Sequence, residues 1–360
     1  MKLLEFAIPT WKRPSQLRTS VCSIVEQGAD VVISHHLCDL ETRAVVSDLL
    51  RDYPSKVRAV ACELGTAPDY SDSFKQLFSL PQAEYTWTWG DDDVLVPNAI
   101  SVIMPLLERG EFDFIHVSEA VRSANTGALL KGKLIDLCNN IGWIDMTGFI
   151  SCNIIRTTKL NEACTLKAWP IYAKNAFVHC CALLEVLYDC DSAFYDMALV
   201  DSRLIHDEAA TGARWTEGNV GLRYHYVDEA LLDMKARGVI KQALPPKFFR
   251  YHSYHLWDRF LTHIVTDYTQ SQDFVLTDYL DDLLTRCIHL ASLMDPLNRK
   301  RYTEEIAEIR QSIIEHQVAL QYAISKAAVM NKLVEDHGRE RYDLSYLASS
   351  SLKSLQPVTP

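Results

Sequence analysis

The sequence predicts an α/β domain, a mostly parallel sheet with helices on both faces, followed by a helical C-terminal region. Three observations predict it. Up to Trp89 the text alternates strand, helix, strand, helix, strand, helix, strand, the order of a wound parallel sheet. Ala29 to Ser34 (Ala-Asp-Val-Val-Ile-Ser) is a short, almost continuously apolar run of the kind found inside such a sheet. From about Tyr224 the strands stop and long helical periodicities take over. These changes place an α/β domain at residues 1–222, a helical region at 223–345 and a disordered tail at 346–360.

Leu3 to Ile8 reads as the first strand, ended by Pro9. Thr10 to Arg13 is a loop, and Pro14 suits the first turn of a helix that turns Leu17, Val21, Ile24 and Val25 inward. Ala29–Ser34 is the second strand, leaving His35 in a loop. A helix over Glu41–Asp52 follows, with Val45, Val46, Leu49 and Leu50 inward. Val57–Cys62 is a strand, Gly65 to Pro68 a loop and Ser71–Phe78 a helix. Tyr85–Trp89 is an alternating aromatic and β-branched strand with one buried face. Asn98–Leu107 is a helix kinked at Pro105, and Asp113–Ser118 and Phe149–Arg156 are strands, with loops around a hairpin at 123–142. An amphipathic helix over Ala176–Tyr188 precedes a strand over Ala193–Ile205 and a polar, Gly-containing segment from Glu208 to Gly221. Helices are then expected over Tyr224–Arg237, Pro246–Gln270, Asp273–Leu293 and Tyr302–Asp336, punctuated by Pro245-Pro246 and Asp295-Pro296.

The 360 residues, 48% hydrophobic and 23% charged, are globular in composition. A net charge of −11 argues against a general nucleic-acid binder, whose footprint is basic. The ten cysteines follow no CxxC or other regular frame, and reduced, buried thiols are the reading. The opening residues are too quickly interrupted for a signal peptide, and no apolar run approaches a membrane span of about eighteen residues. A cytoplasmic protein is expected, with peripheral contact at the inner face of the cell membrane left open.

The strand Tyr85–Trp89 stops at Gly90, and Asp91, Asp92 and Asp93 follow directly. Three adjacent like charges repel, so a strand end that carries them needs a balancing partner. A divalent cation held by oxygen ligands, itself gripping phosphates, supplies one. A solvated acidic turn is the plain alternative. In an α/β sheet ligands bind at the carboxyl ends of the strands, where both the aspartates and the Thr10–Arg13 loop stand.

Three stretches resemble the GT-A glycosyltransferases of the family 2 type, most closely the bacterial enzymes of O-antigen and capsule synthesis, abequosyltransferase-like proteins among them. They are Phe6 to Pro14 (Phe-Ala-Ile-Pro-Thr-Trp-Lys-Arg-Pro), Glu84 to Pro97 with its Gly-Asp-Asp-Asp, and Thr147 to Arg156. The resemblance spans residue 1 to about residue 215 and implies the following roles. Asp91 and Asp93 correspond to the ends of the DxD motif. Asp93 would bind Mn2+ or Mg2+ bridging the donor diphosphate, Asp91 would meet the ribose or a metal-bound water, and Asp92 would support the turn. Pro9, Thr10, Trp11 and Arg13 would border the nucleotide base and phosphates. The reaction implied is transfer of a sugar from a nucleotide-diphosphate donor, with inversion, to a saccharide or lipid-linked acceptor.

The sequence departs from the family in two places. Where relatives carry an acidic residue after the second strand, this chain has Ser34-His35-His36, so His35 becomes a candidate to stack on or hydrogen-bond the base, with Asp39 further on. The family's acidic pair for the base is missing near Tyr172–Glu185, which leaves Asp145 and His179 as candidate general bases, Asp145 slightly favoured. His206 ends a strand where many GT-A enzymes complete the metal site. Arg214 and Trp215 could meet diphosphate and sugar face. The C-terminal aromatics, such as Phe248, Phe249 and Trp257, read as helix packing, with a homo-oligomer interface or a membrane-facing surface as alternatives. Two rivals stand beside this reading. A sugar nucleotidyltransferase would have a Gly-rich first loop, which Pro9 to Arg13 is not. A catalytically inactive scaffold is kept open by the missing base.

Overall fold

The structure, a computed structural model, describes residues 2–62, 70–120, 123–175, 177–202, 227–249 and 276–315. The chain divides into two compact units, Met1–Arg214 and Trp215–Pro360. The first unit opens with β1 (Leu4–Thr10), α1 (Pro14–Val25), β2 (Asp30–His36), α2 (Leu40–Asp52), β3 (Val57–Cys62), α3 (Tyr70–Ser79) and β4 (Tyr85–Thr88). It continues through β5 (Val94–Leu95), α4 (Ala99–Leu107), β6 (Phe114–Glu119), β7 (Leu129–Lys133), α5 (Leu134–Ile141) and α6 (Trp143–Thr147). It ends with β8 (Asn153–Arg156), α7 (Thr157–Cys164), α8 (Trp169–Tyr172), α9 (Val178–Leu187) and β9 (Asp191–Asp201).

Among the described residues nine strands make one sheet in the order β3-β2-β1-β4-β8-β6-β9-β5, with β7 also paired to β9. β1 to β4 are mutually parallel, as a chain of strand–helix–strand crossovers requires. The second half is mixed: β8 runs antiparallel between β4 and β6, β9 is parallel to β6, and β5 and β7 pair antiparallel with β9. β1 continues through Pro9 to Thr10, where the sequence ends it at Ile8. Strand residues alternate between their two neighbours, and Ala7 accepts the Trp89 amide on the β4 side. Pro9 therefore faces that side too, beyond the last pair Ala7↔Thr88, where its missing N–H removes no ladder bond.

α1 turns Leu17, Val21, Ile24 and Val25 onto the sheet, the face its periodicity predicts. Under it Phe6 stacks on Trp87 with centroids 4.9 Å apart and meets Trp89 edge-on at 5.3 Å. Such pairs contribute about 0.5–1.5 kcal/mol each beyond area burial. Tyr85 to Trp89 are all buried, so both faces of β4 are covered, not one.

Elsewhere tertiary context overrides local text. β2 runs on to His36, so His35 and His36 are strand residues and buried instead of exposed in a loop. Leu50 points outward at 36% exposure, off the stripe of Val46 and Leu49. The stretch 123–142 contains β7 and α5 where loops around a hairpin are expected. Phe149–Arg156 is a 3-10 turn at Ile150–Cys152 followed by the four-residue β8. The Ala176–Tyr188 helix, observed over Val178–Leu187, is buried on nearly every side and not amphipathic. The ten cysteines are free thiols.

In the second unit helices span Val227–Ala236, Leu276–Ala291 and Pro296–Glu315, with a 3-10 turn at Pro246–Phe249. The last begins six residues before the expected Tyr302. Asp295 caps it by accepting the Leu297 and Asn298 amides at 3.0 and 3.1 Å, and Pro296 fills the first helical position. The carboxylate of Asp228, 1% exposed, sits 3.2 Å from Arg286 Nη1 and 3.0 Å from His289 Nδ1, tying two of these helices. The segment 208–221, the loop 65–68, the rest of the expected Pro246–Gln270 helix, residues beyond 315 and the tail lie outside the described residues. Among the described residues no helix is long and apolar enough to cross a membrane.

Candidate functional site

From β1 the sheet grows one way through β2 and β3 and the other way through β4. The carboxyl ends of β1 and β4 therefore flank the point where strand order reverses, the place where open α/β sheets bind ligands. β1 delivers Thr10 to Arg13 there, and β4 delivers Gly90 to Asp93.

The two loops are joined side chain to side chain. Thr10 Oγ1 donates to Asp91 Oδ2 at 2.7 Å, across 81 residues of sequence. Arg13 Nη1 lies 3.1 Å from Asp91 Oδ1 and 2.5 Å from Asp92 Oδ2. Asp93 has its own partner: Ser151, in the 3-10 turn before β8, donates its hydroxyl to Asp93 Oδ2 and accepts the Gly90 amide at 2.7 Å. A Cβ at Gly90 would stand 2.8 Å from Asp93 Oδ2 and 3.0 Å from Asp92 Oδ1, so any side chain there would displace the acids. That explains the glycine between the aromatic strand and the acids.

The loop backbone is held from α1. Ser20 and Ser23 on that helix, and Gln27 in the turn that follows it, bond respectively to the Gly90 carbonyl (3.3 Å), the Leu95 amide (3.1 Å) and the Val96 carbonyl (3.0 Å). Trp89 Nε1 adds a bond to Ser20 Oγ at 2.9 Å. β5, just after the acids, is pinned to the end of β9 through Val94↔Asp201 and Leu95↔Val200. On the β1 side Asp39 uses one carboxylate oxygen on the Thr42 amide at 3.1 Å, capping α2, and the other on the Lys12 amide. Both hydrogen bonds pull its pKa down, and the carboxylate is committed to holding the loop, where Lys12 takes a left-handed φ of 56°.

Burial dominates the electrostatics. It pushes Asp91 up to about 7, helped by the charge of Asp92 and opposed by Arg13 and Thr10. It pushes Asp93 up to about 8, with Asp92 and then Glu119 adding repulsion against the Ser151 hydrogen bond. Asp93 is 2% exposed, and its Oδ1 has no hydrogen-bond partner. A buried carboxylate oxygen left bare is costly unless a cation meets it, so the residues fit a hard divalent ion. Among the described residues no three His, Cys, Asp or Glu side chains converge as a closed cage.

His35, the penultimate residue of β2, stands opposite Thr10 in register. Its Nδ1, the Nδ1 of His36 and the Nε1 of Trp11 are buried without hydrogen-bond partners. Burial lowers the pKa of both histidines, which favours neutral rings. Trp11 meets His36 edge-on at 6.5 Å. Asp145 lies half-buried on α6. His179 is deep in α9, stacked on Phe74 at 4.7 Å, with Nε2 3.2 Å from the Gly148 carbonyl. A carbonyl only accepts, so that nitrogen carries the hydrogen, and burial pushes the ring down to about 4. His206, Arg214 and Trp215 lie outside the described residues.

The structure thus brings Thr10, Arg13, Asp91, Asp92 and Asp93 together and places Pro9, Trp11 and His35 on the neighbouring strand ends. Sequence reasoning missed Ser151, the polar trio Ser20, Ser23 and Gln27, and Glu119, a buried carboxylate at the end of β6 that accepts from Ser202. The trio leaves a trace in sequence, polar residues at helical spacing beside an apolar face. Ser151 leaves none.

The sequence matches no protein-family model and no curated protein. Among solved structures the chain is similar to S. aureus TarS 1-349 in complex with UDP-GlcNAc, at 11% identity over 95% of this chain and 93% of that one, with a TM-score of 0.51. It is also similar to the mannosyltransferase PcManGT from Pyrobaculum calidifontis in complex with GDP-Man and Mn2+, at 10% identity, 98% and 84% coverage and a TM-score of 0.47. The first likeness is one of fold: a mixed α/β sheet of GT-A type followed by a helical C-terminal part.

Proposed function

We propose that this chain is a metal-dependent, inverting glycosyltransferase that moves a sugar from a nucleotide-diphosphate donor to a saccharide or lipid-linked acceptor. Surface polysaccharide synthesis, of the O-antigen or capsule kind, is the setting the sequence resemblance supports, at the cytoplasmic face of the membrane. The observation that carries the reading is the bare, buried Oδ1 of Asp93 beside Asp91 at the switch point of the sheet. The fold neighbour bound to UDP-GlcNAc supports a nucleotide-sugar donor.

Asp91 and Asp93 would hold Mn2+ or Mg2+, with His206 as a further ligand. The ion, when bound, supplies positive charge for the leaving diphosphate. Thr10 fixes the orientation of Asp91, and Ser151 that of Asp93. Pro9, Trp11 and His35 would border the base, while Arg13, Arg214 and Trp215 would face phosphate and sugar. Asp145 is the better base for the acceptor hydroxyl, since His179 is occupied with the Gly148 carbonyl and holds a proton on its other nitrogen only in acid.

A thermal-shift panel of UDP, GDP, dTDP, CDP and CMP, with and without Mn2+, tests the reading on wild type and Asp93→Asn. Ligands that bind the folded state raise its melting temperature by mass action. One nucleotide giving a metal-dependent shift that Asp93→Asn abolishes is the expected result and names the base. No shift with any nucleotide sinks the donor-site assignment.

A further inference from the structure

We propose that Arg13 is a built-in counter-cation for the acidic loop, displaced by the divalent ion and then turned to the diphosphate of the donor. The inference rests on the donor-site reading above and assigns Arg13 a role in the order of binding.

Arg13 is the residue before α1, and its side chain makes no capping bond. A single nitrogen, Nη1, makes both of its ion pairs, to Asp91 Oδ1 and Asp92 Oδ2. A guanidinium carries five N–H donors, and Nε and Nη2 meet no protein group among the described residues. The side chain is 20% exposed, so those donors are within reach of a ligand at the strand ends. Asp93 Oδ1, by contrast, is buried and bare. The acids are therefore half compensated: Asp91 and Asp92 have a protein cation, and Asp93 has a hydroxyl alone.

Asp91 belongs to both halves. A divalent ion shared by Asp91 and Asp93 and a guanidinium on Asp91 are like charges on one carboxylate, so each weakens the hold of the other. Entry of the ion loosens Arg13 from Asp91. A guanidinium already presenting unpaired donors then pairs with a phosphate in two-pronged geometry, which suits arginine better than lysine. The arrangement lets the loop fold before metal arrives and couples metal binding to capture of a nucleoside diphosphate.

The test is calorimetric titration of the full chain with Mn2+ alone, then with UDP or GDP at saturating Mn2+, on wild type, Arg13→Gln and Arg13→Lys. Removing the competing charge should tighten Mn2+ alone about tenfold in Arg13→Gln. The same variant should bind the nucleoside diphosphate at least about tenfold more weakly. Its melting temperature in EDTA should fall, and Mn2+ should restore more than it adds to wild type. Should Arg13→Gln fail to fold without metal, Arg13→Lys, which keeps the charge, should still show the weaker diphosphate binding. Mn2+ affinity in Arg13→Gln equal to or below wild type, or undiminished diphosphate binding in Arg13→Lys, overturns the proposal and leaves the donor site intact. Absence of Mn2+ binding in wild type and variants alike overturns the donor-site reading, and this one with it.

Discussion

Ser151 and Asp93, 58 residues apart, share a hydrogen bond in which the serine also receives the Gly90 amide. One hydroxyl thus sets both the backbone turn and the carboxylate that follows it. In Ser151→Ala the buried Gly90 amide and Asp93 Oδ2 lose their partner, at a cost of about 1–3 kcal/mol. The hydrogen bond is also what opposes the rise in the Asp93 pKa. The variant should melt lower and require about tenfold more Mn2+ for half-maximal stabilisation near neutral pH. Calorimetry and a metal-dependent melt check both.

Gly90→Ala should separate the site from the fold. The added Cβ collides with the carboxylate ends of Asp93 and Asp92, which can swing aside, and not with a strand backbone. A stability loss of about 1–2 kcal/mol is expected, together with loss of the Mn2+-dependent shift. A melt that falls with the metal response retained would contradict the close packing of the loop.

His179 should make the fold acid-sensitive. Its pKa is about 4 in the folded protein, against about 6.5 in the unfolded chain. Between those values the unfolded state binds the proton and the folded state does not. The stability it contributes is complete above about pH 6.5 and is lost as pH falls toward 4, on the order of 3 kcal/mol in total. Denaturant titrations from pH 4 to 7 should show a flatter profile in His179→Gln, by about one proton.

Arg286→Met strands the buried Asp228 carboxylate with only His289 beside it. Loss of about 3 kcal/mol is expected. Adding Asp228→Asn to that variant should recover most of the loss, because an amide pays no charge-burial penalty. A double-mutant cycle with coupling below about 0.5 kcal/mol would contradict the pairing.

The site was legible in sequence where its chemistry is written locally. Thr10 and Arg13 after an apolar run, and Asp91 to Asp93 after an aromatic one, declare strand ends by abrupt change of polarity. What stayed hidden depends on which strands become neighbours. Nothing in Asn153 to Arg156 says that β8 lies antiparallel between β4 and β6, and that placement alone brings Ser151 to Asp93. His35 and His36 read as loop because they are polar. They continue the strand because His35 pairs with Thr10 of β1 and Ala61 of β3, and His36 with Cys62 of β3. α5 was missed because Asn139, Asn140 and Gly142 look like a turn, whereas Leu134, Ile135, Leu137 and Cys138 anchor it.

The polar side chains along α1 and the turn after it carry a consequence for how the molecule comes to be. Ser20, Ser23 and Gln27 reach partners 69 to 72 residues further along the chain. Contacts across such spans close large loops and form after the local helices have been made. While the chain is still searching, the three aspartates are apart from Arg13 and fully in water, where their mutual repulsion is small. They meet where β4 pairs with β1, beside Arg13, Thr10 and Ser151. Gln27→Ala should accordingly speed unfolding and leave the folding rate nearly unchanged.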